Sequence, residues 1–181
     1  MVSHKGLTRQ KMDTSEHCKE VYAYFGLAMY RAQCVEQSIV QLLIFFDFFK
    51  ENVPKFESRA KWEADFDRFD GALSKKTMGR LLGAIKEIGV LNADIENTLS
   101  LALQKRNWLA HAYFVDRALD FINEAGRKKM INELEDAIKL FNSVEDILNP
   151  ISKSASIKYG LTDEILEKLQ KEMYESAKGE L

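Results

Sequence analysis

The stretch VYAYFGLAMYRAQCVEQSIVQLLIFFDFF, residues 21–49, decides the class of the fold. Its apolar side chains recur at alternating spacings of four and three residues, which is the period of one face of an α-helix. That face consists of Val21, Phe25, Ala28, Ala32, Val35, Ile39, Leu42, Phe46 and Phe49. We therefore expect a helix from about Ser15 to Lys50 at the centre of the protein, in contact with other helices on more than one side.

The rest of the chain repeats the helical pattern, and no segment has the alternation typical of a β-strand. The clearest further row with spacings of four and three residues consists of Met130, Leu134, Ala137, Phe141, Val144 and Leu148. Two prolines in 181 residues leave long stretches uninterrupted. The capping and breaking residues predict four further helices. They run from Lys76 or Thr77 to Gly89, from an Asp94 cap into the residues before Phe114, from beyond Asp116 to an end or kink at Asn149–Pro150, and from Thr162 to about Lys178.

These elements predict an all-α fold, an up-and-down bundle of four to five helices. A chain of 181 residues suits a single domain with a substantial core. We expect residues 1–14 to be flexible, residues 52–75 to form an irregular insertion, and residues 160–181 to contain the C-terminal helix. The first helix has more apolar surface than one small bundle buries, which favours a homodimer.

The composition is that of a soluble globular protein, with 46% hydrophobic and 30% charged residues. No run approaches the eighteen apolar residues of a membrane span, and the N-terminus lacks the apolar core of a secretory signal. Cys18 and Cys34 lie about 24 Å apart on a straight helix, too far for a disulfide. We expect a cytoplasmic protein with free thiols and no membrane partner.

The net charge of −2 argues against binding of polyanions over the whole surface, so nucleic acid would need a local basic patch. Each candidate patch by itself is typical of a solvated helix face. The candidates are Lys75, Lys76 and Arg80; Lys105 and Arg106; and Arg127, Lys128 and Lys129.

Polar residues interrupt an otherwise apolar helix in the stretch QKRNWLAHAYF, residues 104–114. Gln104, Asn107 and His111 follow Ser100 at helical spacing and form one polar stripe. Arg106 lies on another face, where an arginine either snorkels at the edge of the core or is buried and paired. Glu36, the one acid between Glu20 and Asp47 in the sequence, is its natural partner.

At these residues the chain resembles HEPN domains, which are small helical bundles that usually dimerise. The similarity extends over about residues 20–148 and includes FGLAMYRAQCVEQSIVQLL and KKTMGRLL. Its specific part is the Arg-x4-His-x-Tyr form of the family motif, with a polar residue after the arginine. The matching residues are Arg106, Asn107, His111 and Tyr113.

The resemblance implies a metal-independent endoribonuclease whose site lies in a homodimer cleft, in a toxin–antitoxin or defence system. His111 would act as the base and Arg106 would stabilise charge on phosphate. Asn107 would orient His111 or contact the phosphate, while Glu36 and Gln104 support the site. Tyr113 would donate a hydrogen bond, stack on a base, or be modified by a nucleotidyltransferase-like antitoxin.

Two other functions stay open from the sequence. One is a catalytically silent HEPN-like module that binds a nucleotide, RNA or a protein partner. The other is a structural interaction protein in which the arginine and histidine are only architectural. We expect no cofactor and no metal, because His17-Cys18 lacks further ligands and the chain has no Gly-rich phosphate loop, His-Glu-x-x-His or Cys-x-x-Cys motif.

Overall fold

The structure, a computed structural model, describes residues 14–179, and every regular element in that range is helical. The all-α prediction is therefore confirmed. The described range contains eight helices rather than four or five. They are α1 Thr14–Leu43, α2 Arg59–Leu73, α3 Met78–Ile88, α4 Ala93–His111, α5 Tyr113–Asp116, α6 Ala118–Phe121, α7 Glu124–Lys158 and α8 Asp163–Gly179.

The helices α1 and α7 form the centre of the protein, where they share the most extensive helix–helix contact. The apolar faces predicted from their spacing lie in this core. On α1 they are Val21, Ala28, Ala32, Val35, Ile39 and Leu42, and on α7 they are Met130, Leu134, Ala137, Phe141, Val144 and Leu148. Three large hydrophobic residues of α1 stay exposed, namely Tyr22, Leu27 and Tyr30. Most of the apolar surface that favoured a dimer is thus buried within one chain.

The first helix widens into a π-helical segment, Ile44–Phe49, before Lys50–Asn52 and a 3-10 turn at Val53–Lys55. The wider turn changes the direction of the side chains that follow Leu42. Phe45 and Phe48 are buried in consequence, in place of the predicted Phe46 and Phe49.

The prediction of an irregular insertion at residues 52–75 is wrong for most of that range, because Arg59–Leu73 is helical. Trp62, Phe66 and Phe69 are spaced four and three residues apart and pack around Phe48. Their ring centroids lie 5.1, 5.4 and 5.2 Å from that of Phe48. The aromatic surface offered by the π-helical segment gives α2 an apolar partner, and this makes the helix stable.

Helix ends agree with the predicted signals at some positions and differ at others. Thr77 caps α3, and Gly89 ends it in the left-handed region at φ 70°. Asn92 caps α4 instead of Asp94, because the Asn92 Oδ1 accepts a hydrogen bond from the Ile95 amide at 2.9 Å. The helix α7 continues through Pro150, since buried residues on both sides of the proline hold it in the core.

The prediction of a flexible segment at residues 1–14 falls outside the described residues, except for Thr14, which begins α1. Cys18 and Cys34 are free thiols. Residues 14–55 are long and apolar enough to cross a membrane by length and composition, and 44% of the apolar window is buried within the protein. The core helix of a soluble protein meets the same description.

Candidate functional site

The site is built on a helical hairpin in which α3 and α4 run antiparallel, joined by residues 89–92. The Lys86 Nζ donates to the Ser100 Oγ at 3.3 Å and lies 3.7 Å from the Glu96 Oε2. Nearer the start of α3, a Cβ placed on Gly79 would lie 3.7 Å from the Leu103 Cδ2. The face of α4 that contacts α3 therefore contains Glu96, Ser100 and Leu103.

Asn107 is the next residue on this face of α4, and His111 follows it by one turn. Both side chains are exposed because α3 begins only at Met78, so that the polar stripe extends beyond the end of its partner helix. Gln104 is exposed as well. Among the described residues, no side-chain hydrogen bond joins these three residues to one another or to other protein groups. The expected role of Asn107 in orienting His111 is therefore not met within one chain.

Arg106 points toward α1, where its Nε donates to the Glu36 Oε1 at 3.0 Å. The side chains are 26% and 20% exposed, so the pair lies at the edge of the core. The expectation that Glu36 holds Arg106 is confirmed. Within the described range, no protein group hydrogen-bonds the two terminal nitrogens of the guanidinium, which leaves them available to a ligand.

Arg106 and His111 point in different directions from α4. Five residues along an α-helix correspond to a rotation of about 140° beyond one full turn. Glu36 holds Arg106 on the side of α1, and His111 is the exposed last residue of the helix. A single chain thus brings Arg106 to Glu36 and leaves the imidazole of His111 open to solvent.

Tyr113 is a core residue, so the interpretation that its hydroxyl serves RNA or a modifying enzyme is wrong for this structure. Its side chain is fully buried and its hydroxyl donates to the Met130 carbonyl oxygen at 2.9 Å. The ring stacks on Phe25 at a centroid distance of 5.8 Å and meets the edge of Trp108 at 4.9 Å. Burial raises the pKa of Tyr113 and keeps the phenol neutral. The chain turns inward directly after His111, which the motif spacing does not reveal.

Trp108 is a residue of this region that sequence reasoning did not select. Its Nε1 donates to the Asp116 Oδ2 at 2.8 Å. The Lys105 Nζ and the Arg117 Cζ lie 4.8 and 5.2 Å from the ring centroid. Arg117 also donates to the Glu133 Oε2 at 2.7 Å, which raises the pKa of Arg117. An indole between Lys105 and Arg117 in the sequence was the available signal, and the contacts with these residues and with Asp116 fix the orientation of the Trp108 ring.

The three predicted basic clusters differ in their surroundings. Arg127 is buried and donates to the His17 Nδ1 and the Phe121 carbonyl oxygen. Lys128 and Lys129 form ion pairs with acidic neighbours. By contrast, three side chains at the start of α3 are exposed and have no ion pair within residues 14–179. They are Lys75, Lys76 and Arg80, named here the basic turn.

A groove of about 810 Å³ runs along α1, and Glu36, Asp70 and Glu145 are among the residues that line it. Two of these carboxylates are paired with arginines, Glu36 with Arg106 and Glu145 with Arg31. Asp70 has no ion pair within residues 14–179. Among residues 14–179, no group of three or more His, Cys, Asp or Glu side chains is arranged to hold a metal ion.

Comparison of the chain with protein-family models, with curated proteins and with solved structures finds no match. What the geometry defines is an all-α protein with a polar site at the open end of a helical hairpin. That site combines a guanidinium held through one nitrogen with an exposed histidine at the C-terminus of the same helix.

Proposed function

We propose that this protein is a metal-independent endoribonuclease of HEPN type that acts as a homodimer. The observation that carries the proposal is how the guanidinium of Arg106 is held. Glu36 holds the guanidinium through Nε and leaves both terminal nitrogens without a partner among the described residues. A planar fork fixed in this way suits phosphate oxygens. His111, exposed at the end of the same helix, supplies an imidazole that can accept or donate a proton.

The proposed reaction is attack of an RNA 2′-hydroxyl on the adjacent phosphate. The imidazole of His111 takes the proton of the 2′-hydroxyl as the 2′-oxygen bonds to phosphorus. Arg106 donates hydrogen bonds to the phosphate oxygens, on which negative charge increases. The bond from phosphorus to the 5′-oxygen then breaks, and that oxygen receives a proton from the second His111 of the dimer or from water. The products are a 2′,3′-cyclic phosphate and a 5′-hydroxyl.

A second copy of the chain completes this site in our proposal. Arg106 and His111 diverge by about 140° around one helix, so residues of two chains bring both groups to one phosphate more easily than residues of one. Apolar residues directly after the motif provide a surface for the second copy. Val115, Leu119 and Ile122 are 79%, 79% and 73% exposed. Burial of these side chains between two copies would stabilise the dimer.

The alternative function is a catalytically silent HEPN-like module that binds RNA, a nucleotide or a protein. One observation favours it: His111 has no partner within the described residues that would select its tautomer and orientation. A general base in a working enzyme is commonly oriented by a third group. The buried position of Tyr113 also argues against modification of this residue by an antitoxin in the folded protein.

The direct test is incubation of the purified protein with single-stranded RNA in excess EDTA. We expect cleavage that leaves 2′,3′-cyclic phosphate ends, and no cleavage of DNA or of 2′-O-methyl RNA. His111→Ala should reduce the rate by on the order of 10²–10⁴-fold through loss of proton transfer, with the fold unchanged because His111 is exposed. Arg106→Lys retains the charge, loses the fork, and should also be impaired.

Two outcomes would contradict the nuclease proposal. A wild-type preparation that cleaves no RNA, but binds RNA or a nucleotide, would identify the silent module. Cleavage that persists undiminished in both variants would show that the activity belongs to a different site or to a contaminating enzyme.

A further inference from the structure

We propose that the basic turn, formed by Lys75, Lys76 and Arg80, is a binding site for the phosphate backbone of an RNA strand that enters the His111 site. This inference rests on the nuclease or RNA-binding function proposed above and adds the place where the strand is held. The two lysines lie in the turn between α2 and α3, and Arg80 lies in the first turn of α3.

The contacts of the hairpin place the start of α3 beside the polar stripe of α4. A Cβ placed on Gly79, the residue before Arg80, would lie 3.7 Å from the Leu103 Cδ2. Asn107 and His111 follow Leu103 by one and two turns of α4. Lys75 and Lys76 immediately precede Thr77, the N-cap of α3, and therefore lie at the same end of the hairpin as Asn107 and His111.

The charges of the basic turn are not neutralised by the protein. No carboxylate among residues 14–179 forms an ion pair with Lys75, Lys76 or Arg80. The hydrogen bonds at these residues involve the backbone amides of Lys76 and Arg80, so the charged side-chain ends are left free. Asp70, an acidic residue of the preceding helix, lines the groove along α1. Three adjacent cations without partners attract phosphate groups and raise the local concentration of a polyanion.

The surroundings of the basic turn fit RNA better than a protein partner. Protein interfaces usually contain large apolar or aromatic side chains at their centre. None of the large hydrophobic residues that the structure exposes lies between residues 57 and 100, and the exposed neighbours of the basic turn include Ala72, Ser74, Thr77 and Gly79. Such a surface has cations for phosphate contacts and little apolar area for a protein.

The basic turn also differs from the basic cluster at residues 127–129. There Arg127 is buried, and the neighbouring lysines are paired with Glu124 and Asp120. Of these two clusters, only the basic turn offers exposed cations without a carboxylate partner within residues 14–179.

The test measures binding separately from cleavage. The probe is a fluorescein-labelled 2′-O-methyl single-stranded 20-mer, which the nuclease reaction cannot cut, and fluorescence anisotropy gives Kd over a range of salt concentrations. The variant is the triple substitution Lys75→Gln, Lys76→Gln and Arg80→Gln. All three side chains are exposed, so the fold should persist, and circular dichroism and thermal melting check it.

We expect the triple variant to bind the probe about tenfold more weakly at moderate salt. The slope of log Kd against log salt should decrease by about 2, since three phosphate contacts on a single strand contribute about 0.7 each. Cleavage of unmodified RNA should fall through a higher KM, with a smaller change in kcat. The matched control replaces three lysines of α8 by glutamine, Lys168, Lys171 and Lys178, which changes the net charge equally and should leave Kd and slope near wild type.

The outcomes separate this inference from the function proposed above. If the triple variant binds the probe with unchanged Kd and unchanged salt slope, the basic turn is not the binding site, even if the wild type cleaves RNA. If the triple variant loses binding and the wild type cleaves no RNA, the basic turn is supported as a binding site and the proposed nuclease function is contradicted. Equal losses in the α8 control show that only net charge matters, which overturns the inference. Absence of RNA binding by the wild type, with binding of poly-glutamate through the same residues, would assign the turn to an acidic protein instead.

Discussion

Glu36→Ala tests whether the contact between Arg106 and Glu36 supports both the fold and the site. The substitution removes the carboxylate that accepts the hydrogen bond of the Arg106 Nε at 3.0 Å. The Arg106 side chain is 26% exposed, and its guanidinium would be left without its one hydrogen-bond partner among the described residues. It would then reorient toward water or stay unpaired at the edge of the core, and either change moves the fork away from its position.

The size of the effect follows from the partial burial of the pair. Breaking a fully buried pair costs about 3–5 kcal/mol, whereas an exposed pair contributes about 0–1 kcal/mol. With side chains 26% and 20% exposed, the pair lies between these limits, and we expect a loss of about 1–3 kcal/mol. For a chain of this size, this corresponds to a decrease in Tm of about 3–10 °C.

The assay combines urea unfolding with RNA cleavage at a temperature at which all variants are folded. Glu36→Ala should reduce cleavage by about tenfold or more, as a loss of about 1.4 kcal/mol in transition-state stabilisation. The matched control is Glu133→Ala, also in a helix interior, where Arg117 donates to the carboxylate at 2.7 Å and the side chains are both 24% exposed. The control should lose stability, to a lesser extent because Asp120 lies 3.8 Å from Arg117, and should retain cleavage.

A double-mutant cycle with Arg106→Ala isolates the pairwise energy of the contact. A coupling energy near zero, or a Glu36→Ala variant that melts like wild type, would refute the view that this pair holds Arg106. Equal loss of cleavage in Glu36→Ala and in Glu133→Ala would refute the specific role of Glu36, because the loss would then follow stability alone.

Three further predictions concern the core and the assembly. Gly126→Ala should destabilise the protein by about 2–4 kcal/mol in urea unfolding, because the new Cβ would clash with the Asp120 carbonyl oxygen. Gly83 has open space around its Cα, so Gly83→Ala should stabilise α3 by about 0.5–1 kcal/mol. Equal effects of the two substitutions would disprove the close approach at Gly126. Burial raises the pKa of Tyr113, so the stability due to its neutral phenol is present below about pH 10 and is lost as the pH rises further. Tyr113→Phe should therefore cost about 1 kcal/mol near pH 8, and the difference from wild type should shrink at alkaline pH, as checked by urea unfolding at both pH values; a constant difference would contradict the shift. Light scattering at micromolar concentration should give the mass of a dimer, and Val115→Asp should shift it toward the monomer; a monomeric wild type would contradict the shared site.

The residues themselves determined much of the fold. Apolar positions at spacings of four and three predicted the buried faces of α1 and α7, because a side chain every 3.6 residues returns to the same side of a helix wherever that helix packs. Gly89 predicted the end of α3, since a left-handed residue there is a local requirement. Glu36 was identified as the partner of Arg106 because a lone acid in an apolar helix needs a compensating charge.

Tertiary packing alone decided the features that depend on distant parts of the chain. The helix α7 continues through Pro150 because the buried residues on both sides outweigh the lost hydrogen bond. Tyr113 is in the core because the chain folds under α1 after His111 and brings its hydroxyl to Met130. The sequence offered Lys75, Lys76 and Arg80 as one of three basic patches. Only the structure showed that these side chains have no ion pair within residues 14–179 and that the start of α3 lies beside Leu103. Local spacing specifies which side of a helix a residue occupies, but the element that covers that side, and the point where the covering ends, depend on how the helices pack against one another.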